Sequence, residues 1–228
     1  MADKKIQELD EQVVIAKAKD FWAKNGKWTT IVSVLVILIA GGWYGYQKFV
    51  KAPKEAKAEE VMFKAEEYFR VDSVNKALNG DGQYWGFLKV IDKYGGTKAG
   101  NRAKFFAGSC FLKINENEKA IKYLKDFSSS SKPAQARAYK LMADAYADLG
   151  KNKEALEYYQ KAAHHFEDEK NFAADCLFMA AYLAQKNMND AKTATTLYKE
   201  IKEKFPQTQA GMDADNYLAQ MGVYSSDK

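Results

Sequence analysis

One stretch constrains what the rest of this chain can do. Residues 28–47 read WTTIVSVLVILIAGGWYGYQ, with no charge between Lys27 and Lys48. A helix rises about 1.5 Å per residue, so this run reaches about 30 Å, the thickness of a bilayer's hydrocarbon core. Its centre, residues 31–39, is nearly all aliphatic, and each such residue favours insertion. Trp28 stands at one end, and Trp43, Tyr44 and Tyr46 at the other, where amphipathic rings suit the headgroup zones. A buried helix of a soluble domain needs neither the charge gap nor the aromatic ends. Ala40 and Gly42 are small enough for signal cleavage. The charged segment before the run is nevertheless longer than an ordinary n-region, and the apolar run longer than an h-region. The expectation is an uncleaved transmembrane helix over 28–47. Within it Gly41 and Gly45 form a small-xxx-small pair that lets membrane helices approach closely, which makes both candidate docking residues.

Residues 1–27 read as an amphipathic N-terminal tail. Ile6, Leu9, Val13, Val14 and Ala16 recur at helical spacing, followed by Phe21 and Trp22. Acids gather early (Asp3, Glu8, Asp10, Glu11) and lysines late (Lys17, Lys19, Lys24, Lys27), the order that suits a helix dipole. A basic, aromatic-tipped helix end also suits an anionic membrane surface. Asn25-Gly26 is a candidate helix stop. Orientation is undecided by charge. Lys17, Lys19, Lys24 and Lys27 on one side balance Lys48, Lys51, Lys54 and Lys57 on the other.

Beyond the span, residues 48–58 are expected to be a linker or helix extension, with Pro53 marking the exit from the membrane. The composition then points to helices: 3 Pro in 228 residues, with many Ala, Lys and Glu. A net charge of +5 over the whole chain is no nucleic-acid footprint. Internal repetition runs through residues 59–222. In residues 136–169, Tyr139, Met142, Ala143 and Tyr146 share one face of a first helix. Leu149-Gly150 ends that helix, and Ala155, Tyr159 and Ala162 share a face of a second. A second copy over 101–135 places Ala107, Gly108 and Phe111 on its first helix and Ala120, Leu124 and Phe127 on its second. A later, stretched copy carries Ala194, Tyr198, Ile201 and Pro206. An early, degenerate copy has Tyr68, then Leu88 and Ile91. Small residues let paired helices approach, and aromatics fill the gaps between hairpins. This small–large alternation, at a period of about 34 residues, resembles the tetratricopeptide repeat.

Two boundaries echo each other: Lys93-Tyr94-Gly95-Gly96-Thr97-Lys98-Ala99-Gly100 and Lys204-Phe205-Pro206-Gln207-Thr208-Gln209-Ala210-Gly211. Each should end one helix and open another after Thr. The last helix would cap the solenoid, leaving residues 223–228 as a frayed C-terminus. The expected fold is all-α: one N-terminal transmembrane helix, then a tetratricopeptide-like α-solenoid with a C-terminal capping helix.

Nothing in the sequence reads as a catalytic constellation, and no cofactor or metal is expected. His164 and His165, the only histidines, are adjacent, so on a helix they point about 100° apart and cannot both serve one metal. Cys110 and Cys176 read as small core residues. No strand precedes a glycine-rich phosphate loop. If the first helices line the concave face of the solenoid, Phe69, Phe105, Ser109 and Leu112 fall there. Arg137, Lys140 and Asp144 follow, then Met179 and Leu183. Of these, Phe69, Phe105, Leu112, Met179 and Leu183 would form a groove for extended, partly apolar polypeptide.

Three segments in order carry a more specific resemblance. They are Glu11-Gln12-Val13, then Phe21-Trp22-Ala23-Lys24-Asn25-Gly26-Lys27, then an aliphatic span closing on Gly42-Trp43. Followed by helical repeats, they resemble the start of YfgM-type proteins, single-span tetratricopeptide subunits ancillary to the bacterial Sec translocon. The resemblance implies an inner-membrane, single-pass protein with a short cytoplasmic N-terminus and a periplasmic C-terminal domain. It implies translocon subunits as membrane partners, and Phe21, Trp22, Gly41 and Gly45 are the residues expected to dock there. It also implies an exported polypeptide or a membrane-anchored, isomerase-like periplasmic chaperone as the partner of the repeats. No nucleic acid or small-molecule substrate is expected. A structural scaffold of another secretion or motility complex is the competing reading. The balanced lysines also allow a cytoplasmic-facing adaptor.

Overall fold

A computed structural model describes the backbone of residues 2–223, and side chains from residue 13 onward. It divides into two units, Met1–Lys54 and Glu55–Lys228. The expected fraying over 223–228 lies, beyond Val223, outside the described residues.

The first unit is dominated by α1 (Ala2–Tyr46). The helix does not stop at Asn25-Gly26. Glycine inside a helix costs only about 1 kcal/mol relative to Ala, and here both flanks are strongly helical. The Trp22 ring lies 3.5 Å from where a Cβ on Gly26 would sit, so the gap beside the glycine is covered. Thr29 Oγ1 donates to the Asn25 carbonyl at 3.0 Å and Thr30 Oγ1 to the Gly26 carbonyl at 2.8 Å, which ties both residues into the following turn. Further along, Ile31, Val32, Val34, Leu35, Val36, Ile37, Leu38 and Ile39 are between 49% and 70% exposed. The helix is long and apolar enough to cross a membrane, and its apolar window buries nothing within the protein. A π-helical turn follows at Gln47–Lys51, where the Ala52 N–H reaches the Gln47 carbonyl. Pro53 explains that turn. Its ring would collide with a carbonyl four residues back, and the wider turn relieves the collision.

The second unit is helical throughout its regular structure, with no strand among the described residues. It comprises α2 (Ala52–Arg70, from Glu55 onward), α3 (Val74–Asn79), α4 (Phe87–Tyr94), α5 (Lys98–Lys113), α6 (Asn117–Lys125), α7 (Lys132–Asp148), α8 (Asn152–His165), α9 (Lys170–Lys186), α10 (Ala191–Lys204) and α11 (Gln209–Gln220). Consecutive helices pack on one another from α4 onward, and α5 also meets α7 as α9 meets α11. This is the nearest-neighbour arrangement of a helical solenoid.

The reason is legible at the contacts. Ala103, Ala107, Ala155 and Ala162 are fully buried. A Cβ added to Gly108 would meet Leu124 Cγ and the Ala120 carbonyl, so α5 and α6 can touch only with glycine there. Between hairpins the gaps are filled by large side chains. Tyr159 and Tyr198 are the bulkiest fully buried residues. The two echoed boundaries form the same structure. Thr97 Oγ1 donates to the Tyr94 carbonyl at 2.7 Å and accepts from the Gly100 N–H at 3.0 Å. Thr208 does so with the Phe205 carbonyl at 2.8 Å and the Gly211 N–H at 3.1 Å. Each threonine is the N-cap of the next helix, and a Cβ on either glycine would strike the carbonyl at the end of the preceding one.

The degenerate early repeat differs from the others. Its second helix is broken into α3 and α4 by a loop in which Gly80 (φ 85°) and Gly82 (φ 93°) adopt left-handed backbone. Asp81 organises this loop. Its carboxylate accepts the Gln83 and Tyr84 N–H groups at 3.0 and 2.7 Å, and the Tyr68 hydroxyl at 2.5 Å. The loop returns to α2 through these bonds, so the break is anchored.

Candidate functional site

The residues expected to line a groove lie on the first helix of each hairpin. Phe69, near the end of α2, is half-buried. Its ring meets Phe106 at 5.1 Å and Phe87 at 6.3 Å, with the Lys113 ammonium 5.4 Å above it. Phe105 on α5 is also half-buried, against Phe127 at 5.3 Å and Phe106 at 5.7 Å. Leu112 packs, partly exposed, against the main core. Met179 on α9 is 43% exposed, and one turn later Tyr182 is 40% exposed. Leu183 is 8% exposed and belongs to the core, so it does not line a groove. Around the helix Leu183 lies between Met179 and the buried Ala180, on the packed side of the boundary, whereas Met179 and Tyr182 fall on the adjoining exposed side. Tyr182 is the residue that sequence reasoning missed. Its i+3 spacing from Met179 was the available signal.

The polar members of this face are largely spoken for. Lys140 Nζ pairs with both oxygens of Asp144 at 2.9 and 3.1 Å, and the buried Tyr159 hydroxyl donates to Asp144 Oδ1 at 2.7 Å. Burial, then the negative charge of Asp144, drives the Tyr159 hydroxyl well above its ordinary range. The hydroxyl therefore stays protonated and acts as a fixed donor. Arg137 is exposed. Toward the N-terminal end, Arg102 grips Glu59 through two bonds of 2.9 and 2.7 Å and approaches Glu66 at 3.4 Å, which fixes α5 against α2.

Among the described residues, two of the cavities on this unit stand out. One, of about 590 Å³, is lined by Phe127, Ser128, Tyr139, Tyr158, Lys161 and His165, among others. The Lys161 ammonium sits 4.4 Å over the Tyr139 ring. The other, of about 400 Å³, includes Phe63, Lys64, Tyr84 and Trp85, and Phe63 is 61% exposed. Phe127, expected on the second helix of its hairpin, lies beyond the end of α6 at Lys125, and Tyr84 lies in the loop between α3 and α4, so the repeat pattern showed neither cavity.

Both cysteines are buried and free, and burial pushes each thiol up to about 12. Neither is a nucleophile at neutral pH. The proposed docking residues of the first unit are accessible. Phe21 is 57% and Trp22 60% exposed, and a Cβ on Gly41 or Gly45 would meet nothing.

Stacked helical hairpins of this kind define a helical-repeat protein-interaction module. Residues 19–140 match the tetratricopeptide repeat-like domain family, and residues 175–208 match the tetratricopeptide repeat. The first match spans more than half of the chain, and the chain belongs to the tetratricopeptide repeat-like family. A search of curated proteins finds no match.

Proposed function

We propose that this protein is a membrane-anchored interaction module, ancillary to the bacterial Sec translocon. Its repeats would be held on the periplasmic side to meet exported polypeptides or a membrane-anchored chaperone. The observation that carries the reading is the exposed aliphatic stretch of α1 in the same chain as a tetratricopeptide domain. So much apolar surface demands a bilayer or a partner. The order of Phe21-Trp22, span and Gly42-Trp43 supports the translocon as that partner through its resemblance to YfgM-type proteins. In this reading Phe21, Trp22, Gly41 and Gly45 dock in the membrane, and Phe105, Leu112, Met179 and Tyr182 touch polypeptide.

Affinity purification in mild detergent tests it. Translocon subunits should be enriched. Enrichment of another envelope assembly would favour the scaffold reading instead. Burying one aromatic ring stabilises by roughly 2 kcal/mol, so Phe21→Ala combined with Trp22→Ala should visibly weaken recovery at matched expression. Unchanged recovery would reduce these rings to a membrane belt. Protease added to spheroplasts should degrade the repeat domain, and full protection would reverse the proposed topology.

A further inference from the structure

His164 and His165 turn to different neighbours, His165 meeting the Tyr139 ring at 5.5 Å, so the pair does not serve one metal. The fold brings different donors to His164. It lies in the last turn of α8, Glu167 follows just after that helix, and Glu200 comes from α10 in the next hairpin. His164 Nε2 is 2.9 Å from Glu200 Oε1. One nitrogen and two carboxylate oxygens from these three residues lie within 4.8 Å of one another. A tetrahedral zinc with bonds of about 2.0–2.2 Å separates its ligand atoms by roughly 3.3–3.6 Å. The cluster is thus within a small rotamer adjustment of three corners of such a site, with the fourth open to water.

One cation already occupies the neighbourhood. Lys204 Nζ sits 3.0 Å from both Glu167 Oε1 and Glu200 Oε1. Its side chain is 44% exposed, so it can swing into solvent without leaving a buried hole. A divalent ion at the same place brings twice the charge and a coordinate bond to the imidazole nitrogen, where an ammonium offers only a hydrogen bond. We infer that His164, Glu167 and Glu200 form a site for a divalent transition metal of the zinc class. The metal displaces Lys204 and staples α8 to α10 across consecutive hairpins.

The lysine supplies the decisive test. Zinc chloride is titrated into the full-length chain, free of any histidine tag and in detergent, with binding followed by calorimetry. One ion per chain should bind. His164→Ala should weaken binding by roughly tenfold or more, at least the cost of losing an outer-shell partner, and Glu200→Gln should act in the same direction. Lys204→Met removes the competing cation and should tighten binding several-fold. His164 and Lys204 are exposed and Glu200 partly so, and circular dichroism checks that each variant keeps its helices. Binding that survives His164→Ala would place the metal elsewhere and overturn the inference. So would binding that Lys204→Met leaves unchanged or weakens, or no binding by either the parent chain or Lys204→Met.

Discussion

At Gly108 the absence of a side chain decides how closely two helices pack. Replacing it by Ala would improve helix propensity by about 0.5–1 kcal/mol. The new methyl, however, would collide with Leu124, which is fully buried and cannot retreat into solvent. Overpacking of this kind costs typically about 1–3 kcal/mol, so the collision wins. Gly108→Ala should lower stability by about 1 kcal/mol, measured as a reduced urea midpoint with unchanged slope. An increase would mean that α6 can shift outward at little cost. Asp81 gives a second, pH-dependent prediction. The Tyr68 hydroxyl, then the Tyr84 N–H, holds its carboxyl at about 2 instead of the ordinary 3.8. A group depressed on folding stabilises the folded state above its unfolded value and loses that contribution as pH falls through its folded one. The melting temperature should therefore fall more steeply between pH 3.8 and about 2 in the parent chain than in Asp81→Asn. Parallel curves would show that the loop melts independently of the rest.

The helices were readable wherever a physical rule had one outcome. Alanine and glycine at hairpin contacts, aromatics between hairpins and a threonine before each of two helices all predicted the observed packing. The α3–α4 break was not readable, because it depends on Asp81 reaching Tyr68 on another helix. Asn25-Gly26 misled because a local turn preference was weighed without the helical flanks that override it. Of the residues expected to line a groove, Met179 is exposed and Leu183 is buried. Helical spacing puts Leu183 and Met179 in nearby turns, and which of them faces solvent is set by neighbouring elements. The last helix tests what a cap contributes. On α11, Tyr217 stacks on Tyr198 at 5.2 Å and meets Phe178 edge-on at 5.2 Å, while Ala214 and Leu218 are buried. Ending the chain before Gln209 should cost about 4 kcal/mol or more, from the lost burial of two large side chains. It should also cause self-association on gel filtration through the uncovered rings. A monomeric fragment of parent stability would show that α9 and α10 close the domain by themselves.

The chain carries an apolar helical stretch and, separately, a domain with its own core. Residues 55–228 form a separate unit and should be soluble, strongly helical by circular dichroism and cooperative on melting. An aggregated fragment would mean that the domain depends on its membrane segment or partner. The two free cysteines open a further view of this domain. Cys110 lies in α5 and Cys176 in α9, in different hairpins, and both are fully buried with thiols that ionise only at about 12. A thiol reagent therefore reaches either sulfur only when its own hairpin opens. In a stack where each unit leans on its neighbours alone, those openings need not coincide. The native chain thus carries two built-in clocks, and two distinct labelling rates would time how each hairpin opens on its own.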